Sequence, residues 1–302
     1  MPWLVYAFSG PVLWALSTHF DKYLVERYFK KSDVAVLLVF TALIGLLTLP
    51  LICIFQPSVA RLDPVSVAVI MFSGLLYMGA MLFYLRALQS EEASVVAPFF
   101  QAAPLFGYVL GYVVLGEALS RTQMAGGGLI VCGTLVVAIE SGPGRGRFNS
   151  RLALMMLACA FSLAVSALIF KVFMLRADFW TTTFWTFAGE AVFGAGLLAI
   201  RSCRRQFSDL LRANTGALLA INGANELINL GGGIGNRYAL MFAPLSIVQA
   251  IGSTTTLFIF AFGIAISALF PRLSQERLTA GDLARKGLAA ILVVLGVVLV
   301  NG

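Results

Sequence analysis

The sequence contains little charge. It has 14 acidic residues and 21 lysines and arginines among 302 residues, so charged side chains make up 12% of the chain. Soluble domains carry about 25% charge. Hydrophobic residues account for 60% of the sequence, which is more than one soluble core could hold. The composition therefore excludes an ordinary soluble protein and predicts a protein of the lipid bilayer.

The sequence also lacks the patterns that hold metals, disulfides and nucleotides. Cys53, Cys132, Cys159 and Cys203 are scattered without a C-x-x-C pair, so we expect free thiols rather than disulfides or a zinc site. His19 is the single histidine, and a metal site needs several ligands. The chain has no complete G-x-G-x-x-G and no P-loop. We predict neither a metal nor a cofactor.

Long apolar runs dominate what is present. Ten stretches approach the roughly 20 residues that a helix needs to cross about 30 Å of hydrocarbon. They lie near residues 3–20, 34–55, 65–88, 94–116, 121–139, 151–171, 180–200, 214–238, 244–270 and 281–300. The first lacks a basic leader and a cleavage site, so we expect it to be retained. The sequence predicts an all-α, polytopic membrane protein with ten transmembrane helices.

The basic residues predict the orientation in the membrane. Alternate loops lie on opposite sides of the membrane. Sixteen of the 21 lysines and arginines lie on the side of the loops after spans 1, 3, 5, 7 and 9, and five lie on the other side. Short cytoplasmic loops are enriched in these residues, so both termini are predicted outside. Because these charges lie in loops and not on one folded face, they give no indication of nucleic-acid binding.

The chain is internally duplicated. Residues 86–106 return 152 positions later as residues 238–258. The identities, without a gap, are Ala87/Ala239, Leu88/Leu240, Ser94/Ser246, Val96/Val248, Leu105/Leu257 and Phe106/Phe258. Residues 141–150 begin with a run of turn formers and predict a linker. Five spans on each side give two repeats, residues 1–140 and 151–302. Because five is odd, the second repeat is predicted to be inverted relative to the first.

One short motif, E-x-L-[ST], occurs in each half and carries a family resemblance. Glu117-Ala118-Leu119-Ser120 precedes span 5, and Glu276-Arg277-Leu278-Thr279 precedes span 10. With ten spans and the spacing of Trp14 and Lys22, the chain resembles the EamA-type branch of the drug/metabolite transporter superfamily. The resemblance implies a carrier of small metabolites by alternating access, with its pocket between the halves. It also implies termini on the inner side, opposite to the charge bias, and the two orientations remain alternatives. From the residues, Ser120 and Thr279 are predicted to cap the helices that follow.

Span 8 carries the strongest candidate site. Its polar residues recur at three- and four-residue steps and form one stripe, which contains Asn222, Asn225, Glu226 and Asn229. Glu226 lies near the middle of the span, where an ionised carboxylate that faced lipid would cost several kcal/mol. We therefore expect it to face the bundle interior or a wet cavity. The alternative is a structural seam of hydrogen bonds between helices.

Glu190 lies at a similar depth in span 7 and is the second candidate carboxylate. Two buried carboxylates could share a proton or bind a cationic group. The alternative for both glutamates is a salt bridge to Lys171 or Lys22. These two lysines could instead extend to the lipid headgroups.

Further polar residues complete the predicted substrate or proton site. They are Gln249 and Ser253 in span 9, Gln101 in span 4 and His19 in span 1. Some of the serine and threonine hydroxyls in span 9 could instead bond to the backbone of their own helix. His19 could instead be an interfacial anchor. No catalytic residue is predicted.

The sequence favours a secondary active transporter of small organic metabolites in the bacterial cytoplasmic membrane, coupled to protons through Glu226 or Glu190. A lipid or lipid-linked sugar flippase is the alternative, because tyrosines such as Tyr77 and Tyr108 would suit an amphiphile. An intramembrane enzyme or a non-transporting scaffold is disfavoured: the chain lacks paired aspartates or a histidine cluster in the membrane, and a scaffold leaves the two glutamates unexplained. The expected partners are a small solute, protons and the bilayer.

Overall fold

The computed structural model describes residues 2–27, 33–90, 99, 102–138, 150–269 and 280–301, and all secondary structure in these residues is helical. The helices are α1 Pro2–Arg27, α2 Ala35–Phe55, α3 Pro64–Ser90, α4 Ala102–Leu110, α5 Arg121–Ala138, α6 Ser150–Arg176, α7 Phe179–Ala199, α8 Arg201–Ala239, α9 Leu245–Gly252, α10 Thr255–Leu269 and α11 Ala280–Asn301. A short 3₁₀ helix, Pro57–Arg61, joins α2 to α3, and a π-helical turn, Gly111–Leu115, extends α4. The all-α prediction is confirmed.

Several helices have the length and composition of membrane spans. Four stretches qualify, Ala35–Phe55, Pro64–Ala87, Ser150–Arg176 and Leu245–Gly263, and a fifth is added if α7 and the start of α8 count as one bent span. These apolar helices agree with a polytopic membrane protein. The count of ten spans and the inversion of the second repeat stay predictions. Most of the predicted linker 141–150 lies outside the described residues.

The helix α8 is longer than the sequence predicted. Its first twelve residues, expected to be a loop, are helical and lie at 96° to α7. They are amphipathic: Cys203 and Leu210 are buried in a cluster with the start of α2, and Phe207 packs on Phe40 with 5.0 Å between ring centroids. The mean hydropathy of this segment is low because its apolar residues form only one face. The sequence therefore did not predict a helix here.

Span 9 was predicted as one uninterrupted helix, and a two-residue turn interrupts it in the structure. The break between α9 and α10 falls at Ser253 and Thr254. Their hydroxyls donate to the carbonyl oxygens of Ala250 and Ile251 at 2.6 Å. Serine and threonine that bond back to the preceding turn often bend helices, which accounts for the break.

The packing relates the two halves. Helices at equivalent places contact each other, α2 with α7, α4 with α9 and α5 with α11, and the contact of α1 with α8 is matched by that of α6 with α3. A Cβ added at Gly126 of α5 would meet the carbonyl of Gly296, and one at Gly133 would meet that of Ala289. The residue numbers rise in α5 as they fall in α11, so these two equivalent helices pack antiparallel.

The helices α3 and α7 approach most closely at two glycines. A Cβ at Gly74 would collide with the backbone of Thr186 and Glu190, and one at Gly189 would collide with the backbone of Met71. Small residues at membrane helix interfaces allow this kind of backbone contact. The glycine pair therefore fixes the depth and orientation of Glu190 relative to α3.

Gly189→Ala is expected to lower the free energy of unfolding by about 1–3 kcal/mol, because the added methyl group must separate two backbones. Gly196→Ala is the matched control on the same helix, since nothing lies within 4 Å of a Cβ there. That variant is expected to be neutral or stabilising by up to about 1 kcal/mol. The measurement is the unfolding midpoint of the purified protein in detergent, and equal midpoints for the two variants would contradict the close contact.

Candidate functional site

A cavity of about 40 Å³ lies among α2, α3, α7 and α8. Two of these helices come from each half of the chain. It is lined by Thr41, Ile44, Gly45, Tyr77, Phe187, Glu190, Glu226, Asn229, Leu230, Gly233 and Arg237. An apolar cluster of Ile52, Val59 and Phe187 borders it on one side. The cavity therefore combines apolar walls with two carboxylates and one guanidinium.

The helix α7 places Glu190 in this cavity. It begins at Phe179 and is capped by the preceding Asp178, whose carboxylate accepts the backbone N–H of Thr181 at 2.8 Å. Thr183 and Thr186, which share a face with Glu190, donate their hydroxyls to carbonyls of their own helix. The Glu190 residue is only 3% exposed. The neighbouring hydroxyls are therefore bonded within the helix, and Glu190 is the charged side chain on this face.

Arg237 of α8 is the cation that faces Glu190. Its Nη2 donates to Glu190 Oε1 at 2.7 Å. The guanidinium carbon lies 4.9, 5.4 and 5.8 Å from the ring centroids of Phe187, Phe170 and Tyr77. Three aromatic faces hold the guanidinium in place by cation–π attraction. Glu190 therefore pairs with Arg237, whereas Lys171, one of the two lysines considered as an alternative partner, pairs with Glu117.

Glu226 lies in the same cavity in a different environment. Its residue is 5% exposed, and Oε1 accepts the hydroxyl of Thr41 at 2.9 Å. No salt bridge to Glu226 occurs within the described ranges. A buried carboxylate without a cation is costly in its ionised form. The two glutamates thus differ, since one is paired with a guanidinium and the other with a hydroxyl.

The remaining residues of the predicted stripe divide between two places. Asn229 lines the cavity. Asn225 faces α1, where its Nδ2 donates to Asp21 at 2.7 Å, and both Asn225 and Asn222 are 1% exposed. The side-chain oxygens of these two asparagines find no hydrogen-bond partner among the described residues. The stripe therefore continues from the cavity into a second polar contact between α8 and α1.

The other predicted site residues lie elsewhere. The Oε1 of Gln249 faces Gly107 between α9 and α4. Ser253 bonds to its own helix, and His19 Nε2 lies 3.1 Å from the carbonyl oxygen of Ile259 on α10. None of these three lines the cavity, and Gln101 lies outside the described residues. Their part in substrate binding stays a prediction.

Arg237 is the site residue that the sequence reasoning missed. It was counted among the loop charges, because the predicted span ended at residue 238. The signal was present, since Leu230, Gly233 and Arg237 continue from Glu226 at steps of four, three and four residues on the same helix face. Arg237 therefore belongs to the polar stripe of α8.

A second buried ion pair lies away from the cavity. Lys171, predicted to extend to the headgroups, is 5% exposed and pairs with Glu117. Its Nζ also donates to the carbonyl of Ala243 at 2.6 Å, and Glu117 Oε2 accepts the N–H of Leu245, the first residue of α9. The chain reaches this position through Gly116, whose φ of 67° is left-handed. Glu117 thus joins the end of α4 to α6 and α9.

The predicted helix cap at Ser120 is confirmed. Ser120 Oγ accepts the N–H of Gln123 at 3.1 Å, and Gln123 Oε1 accepts the N–H of Ser120 at 3.0 Å. This reciprocal pair is a capping box. The equivalent Thr279 lies outside the described residues. The motif at 117–120 is structural: its glutamate joins segments and its serine starts α5.

The comparisons with known proteins agree with this architecture. The profile of the EamA-like transporter family matches residues 1–139. This match shows that the first half of the chain is similar to the EamA-like transporter family. No curated protein matches the chain. A solved crystal structure of a protein superposes with a TM-score of 0.71 over 99% of this chain and 95% of the other at 17% identity, and this likeness shows the fold alone.

The match of residues 1–139 confirms the predicted resemblance to the EamA-like family and supports a transporter rather than an enzyme at the level of the family. Together with the apolar helices, it makes the chain an integral, multi-pass membrane protein. The family match ends near residue 139, so the second half enters the family comparison only through its internal similarity to the first. That half supplies Glu190, Glu226 and Arg237, the charged residues of the cavity.

Proposed function

We propose that this protein is a secondary active transporter of small organic metabolites that works by alternating access. The observation that carries the proposal is the cavity, in which two helices from each half surround buried charges of both signs. Charges inside a membrane are costly and are characteristic of substrate and ion pathways. A cavity shared by two halves can open to either side when one half moves against the other.

The packing supports two inverted five-helix repeats. Equivalent helices pack antiparallel at α5 and α11, as shown above, and also at α2 and α7. There a Cβ at Gly45 would lie 3.9 Å from Phe187 and Glu190, and one at Gly194 would meet Ala42. Antiparallel pairing of equivalent helices is the arrangement expected of inverted repeats. The two halves would then rock about the contacts that flank the cavity.

Charge supports a cytoplasmic-membrane location with both termini outside. Two of the five basic residues on the sparse side, Lys171 and Arg237, are held in ion pairs inside the bundle. Only Arg61, Arg121 and Arg176 remain there as surface charges, so the bias of the loops becomes stronger. The start of α8 carries exposed Arg201, Arg204, Arg205 and Arg212 on the predicted inner side. This distribution is typical of inner loops of the bacterial cytoplasmic membrane.

The position of the tyrosines favours a polar solute over a lipid. Tyr77 lines the cavity, but Tyr108 and Tyr112 stack on each other at 6.4 Å on α4 and its extension, where they are 37% and 59% exposed. An amphiphile would need a continuous apolar path, whereas the cavity places Glu190, Glu226 and Arg237 around its solute. The cavity therefore supports transport of small metabolites better than lipid flipping.

The double variant Glu190→Gln with Glu226→Gln is expected to reduce the pH-gradient dependence of solute flux by at least tenfold, because neither glutamine can take up a proton. Flux is measured after reconstitution in liposomes, with solute classes first screened by thermal stabilisation. Asp209→Asn is the control, since this carboxylate lies on α8 but is exposed. If Glu226→Gln and Glu190→Gln both kept the flux and pH dependence of the unmodified protein, proton coupling would be rejected.

A further inference from the structure

Arg237 offers more hydrogen-bonding capacity than Glu190 uses. A guanidinium carries five donors in a planar fork, which binds carboxylates with two parallel hydrogen bonds. In the described structure Nη2 donates to Glu190, whereas Nη1 is buried and finds no acceptor there. A buried charged donor without a partner is costly. Such a group is expected where a ligand supplies the missing acceptor.

The surroundings of Arg237 keep its orientation fixed. Phe187 and Tyr77 flank it and also line the cavity, and Phe170 of α6 covers it from a third direction. A side chain held between aromatic rings loses little conformational entropy when it binds, which is the advantage of a preorganised site. Arg237 therefore has the chemistry and the rigidity of a receptor for an anion.

Charge balance then determines what accompanies the anion. Arg237 and Glu190 together are neutral, with side chains that are 14% and 4% exposed. A solute carboxylate that entered beside them would leave one uncompensated negative charge in a nonpolar environment, at a cost of several kcal/mol. A proton bound to Glu190 removes this charge and releases Arg237 to the solute. Binding of the anion and binding of the proton are thus linked.

We propose that the cavity binds a solute carboxylate on Arg237 in exchange for Glu190, which takes up one proton from the water that delivers the solute. The solute and the proton cross together, so the step is electroneutral. This substrate class rests on the proposed transport function. In the process the ion pair between Arg237 and Glu190 opens, a proton joins a carboxylate oxygen of Glu190, and an ion pair between Arg237 and the solute forms.

Glu190 is the group best placed to receive this proton. Among the described residues, α8 brings Glu226 and Arg237 to the cavity beside it, and α3 brings Tyr77. From α2 comes the hydroxyl of Thr41 and from α6 the ring of Phe170, neither of which is charged. Asp21 of α1 faces Asn225 on α8 instead. Only Glu190 shares the guanidinium with the incoming anion, so only its charge must be removed for the exchange.

Matched pairs of acids and amides test the carboxylate site. Phenylacetate and butyrate are compared with phenylacetamide and butyramide, by calorimetry on the purified protein in detergent. The acids are expected to bind at least about tenfold more tightly than the amides, because only they form charge-assisted hydrogen bonds with Arg237. Arg237→Lys is expected to weaken the acids about tenfold and leave the amides unchanged, since an ammonium lacks the planar fork. Equal affinities for acid and amide would overturn the proposal.

Proton uptake tests the exchange independently of any unfolding in Arg237 variants. Calorimetry in buffers of different ionisation enthalpy is expected to show one proton taken up per acid bound by the unmodified protein. Glu190→Gln should bind the acids without proton uptake, because its amide already resembles the protonated side chain in charge. Proton uptake that persisted in Glu190→Gln, or its absence in the unmodified protein, would overturn the exchange.

Flux measurements separate this inference from the transport proposal. If liposomes show flux of another solute class while none of the acids binds, the transporter stands and the carboxylate site is rejected. If the acids bind with proton uptake but no solute crosses, the site stands and the transport function is rejected.

Discussion

Replacing Arg237 with methionine is expected to abolish solute flux and to lower the free energy of unfolding by about 3–5 kcal/mol. Removal of one partner from a buried ion pair leaves the other charge uncompensated, which is the costly case. Here the orphan is Glu190, only 3% exposed. The three aromatic rings would also lose the cation that they surround. The measurements are flux in liposomes and the unfolding midpoint in detergent.

A double variant separates stability from function at Arg237. Arg237→Met combined with Glu190→Gln contains no buried charge at this pair, so most of the lost stability is expected to return while flux remains absent. Arg212→Met is the control, because it removes an exposed arginine from the same helix and should change stability by less than about 0.5 kcal/mol. If Arg237→Met unfolded like Arg212→Met, the ion pair would contribute nothing and the proposed site would lose its basis.

The sequence predicts those features of the site that depend on one helix at a time. Glu226 and Asn229 share a face because of their spacing, and the cost of a charge in lipid placed Glu190 inside the bundle. Both glutamates do line one cavity. Their partners could not be predicted in this way. Which cation reaches Glu190 depends on the crossing of α7 and α8, and no local pattern in the chain encodes that crossing.

The same limit explains the errors in the helices. The amphipathic start of α8 was missed because its mean hydropathy is low, although Cys203 and Leu210 form an apolar face. The break at Ser253 was missed because hydroxyls that bond to the helix backbone resemble a polar binding surface in the sequence. In each case the average composition of a sequence segment does not show the direction in which its individual side chains point.

The duplication has a consequence for the mechanism. Packing pairs equivalent helices, yet the charged residues of the cavity come from α7 and α8 only. In the first half, Gly74 stands at the position that corresponds to Glu226 and packs against the backbone of α7. One half therefore supplies a glycine surface that lets the helices approach, and the other supplies the chemistry. A symmetric scaffold can rock about its centre while a single asymmetric site binds the solute.

Lys171→Met is expected to lower the free energy of unfolding by about 3–5 kcal/mol, because it leaves Glu117 as an uncompensated carboxylate. Glu117 holds the first N–H of α9, and Lys171 holds the carbonyl of Ala243 just before that helix. Loss of the lysine therefore frees the start of α9 from α6. The unfolding midpoint in detergent measures the loss, and Arg176→Met, an exposed arginine on the same helix, is the control.

The double variant Lys171→Met with Glu117→Gln identifies the cause of this loss. A glutamine keeps a side-chain oxygen that can accept the N–H of Leu245 but carries no charge, so most of the stability should return. If the double variant were as unstable as Lys171→Met alone, the bond from Lys171 to Ala243 would hold the segment and the ion pair would not. Because Lys171 and Glu117 belong to different halves, recovery would mean that their charges balance each other across the boundary along which the halves would move in the proposed mechanism.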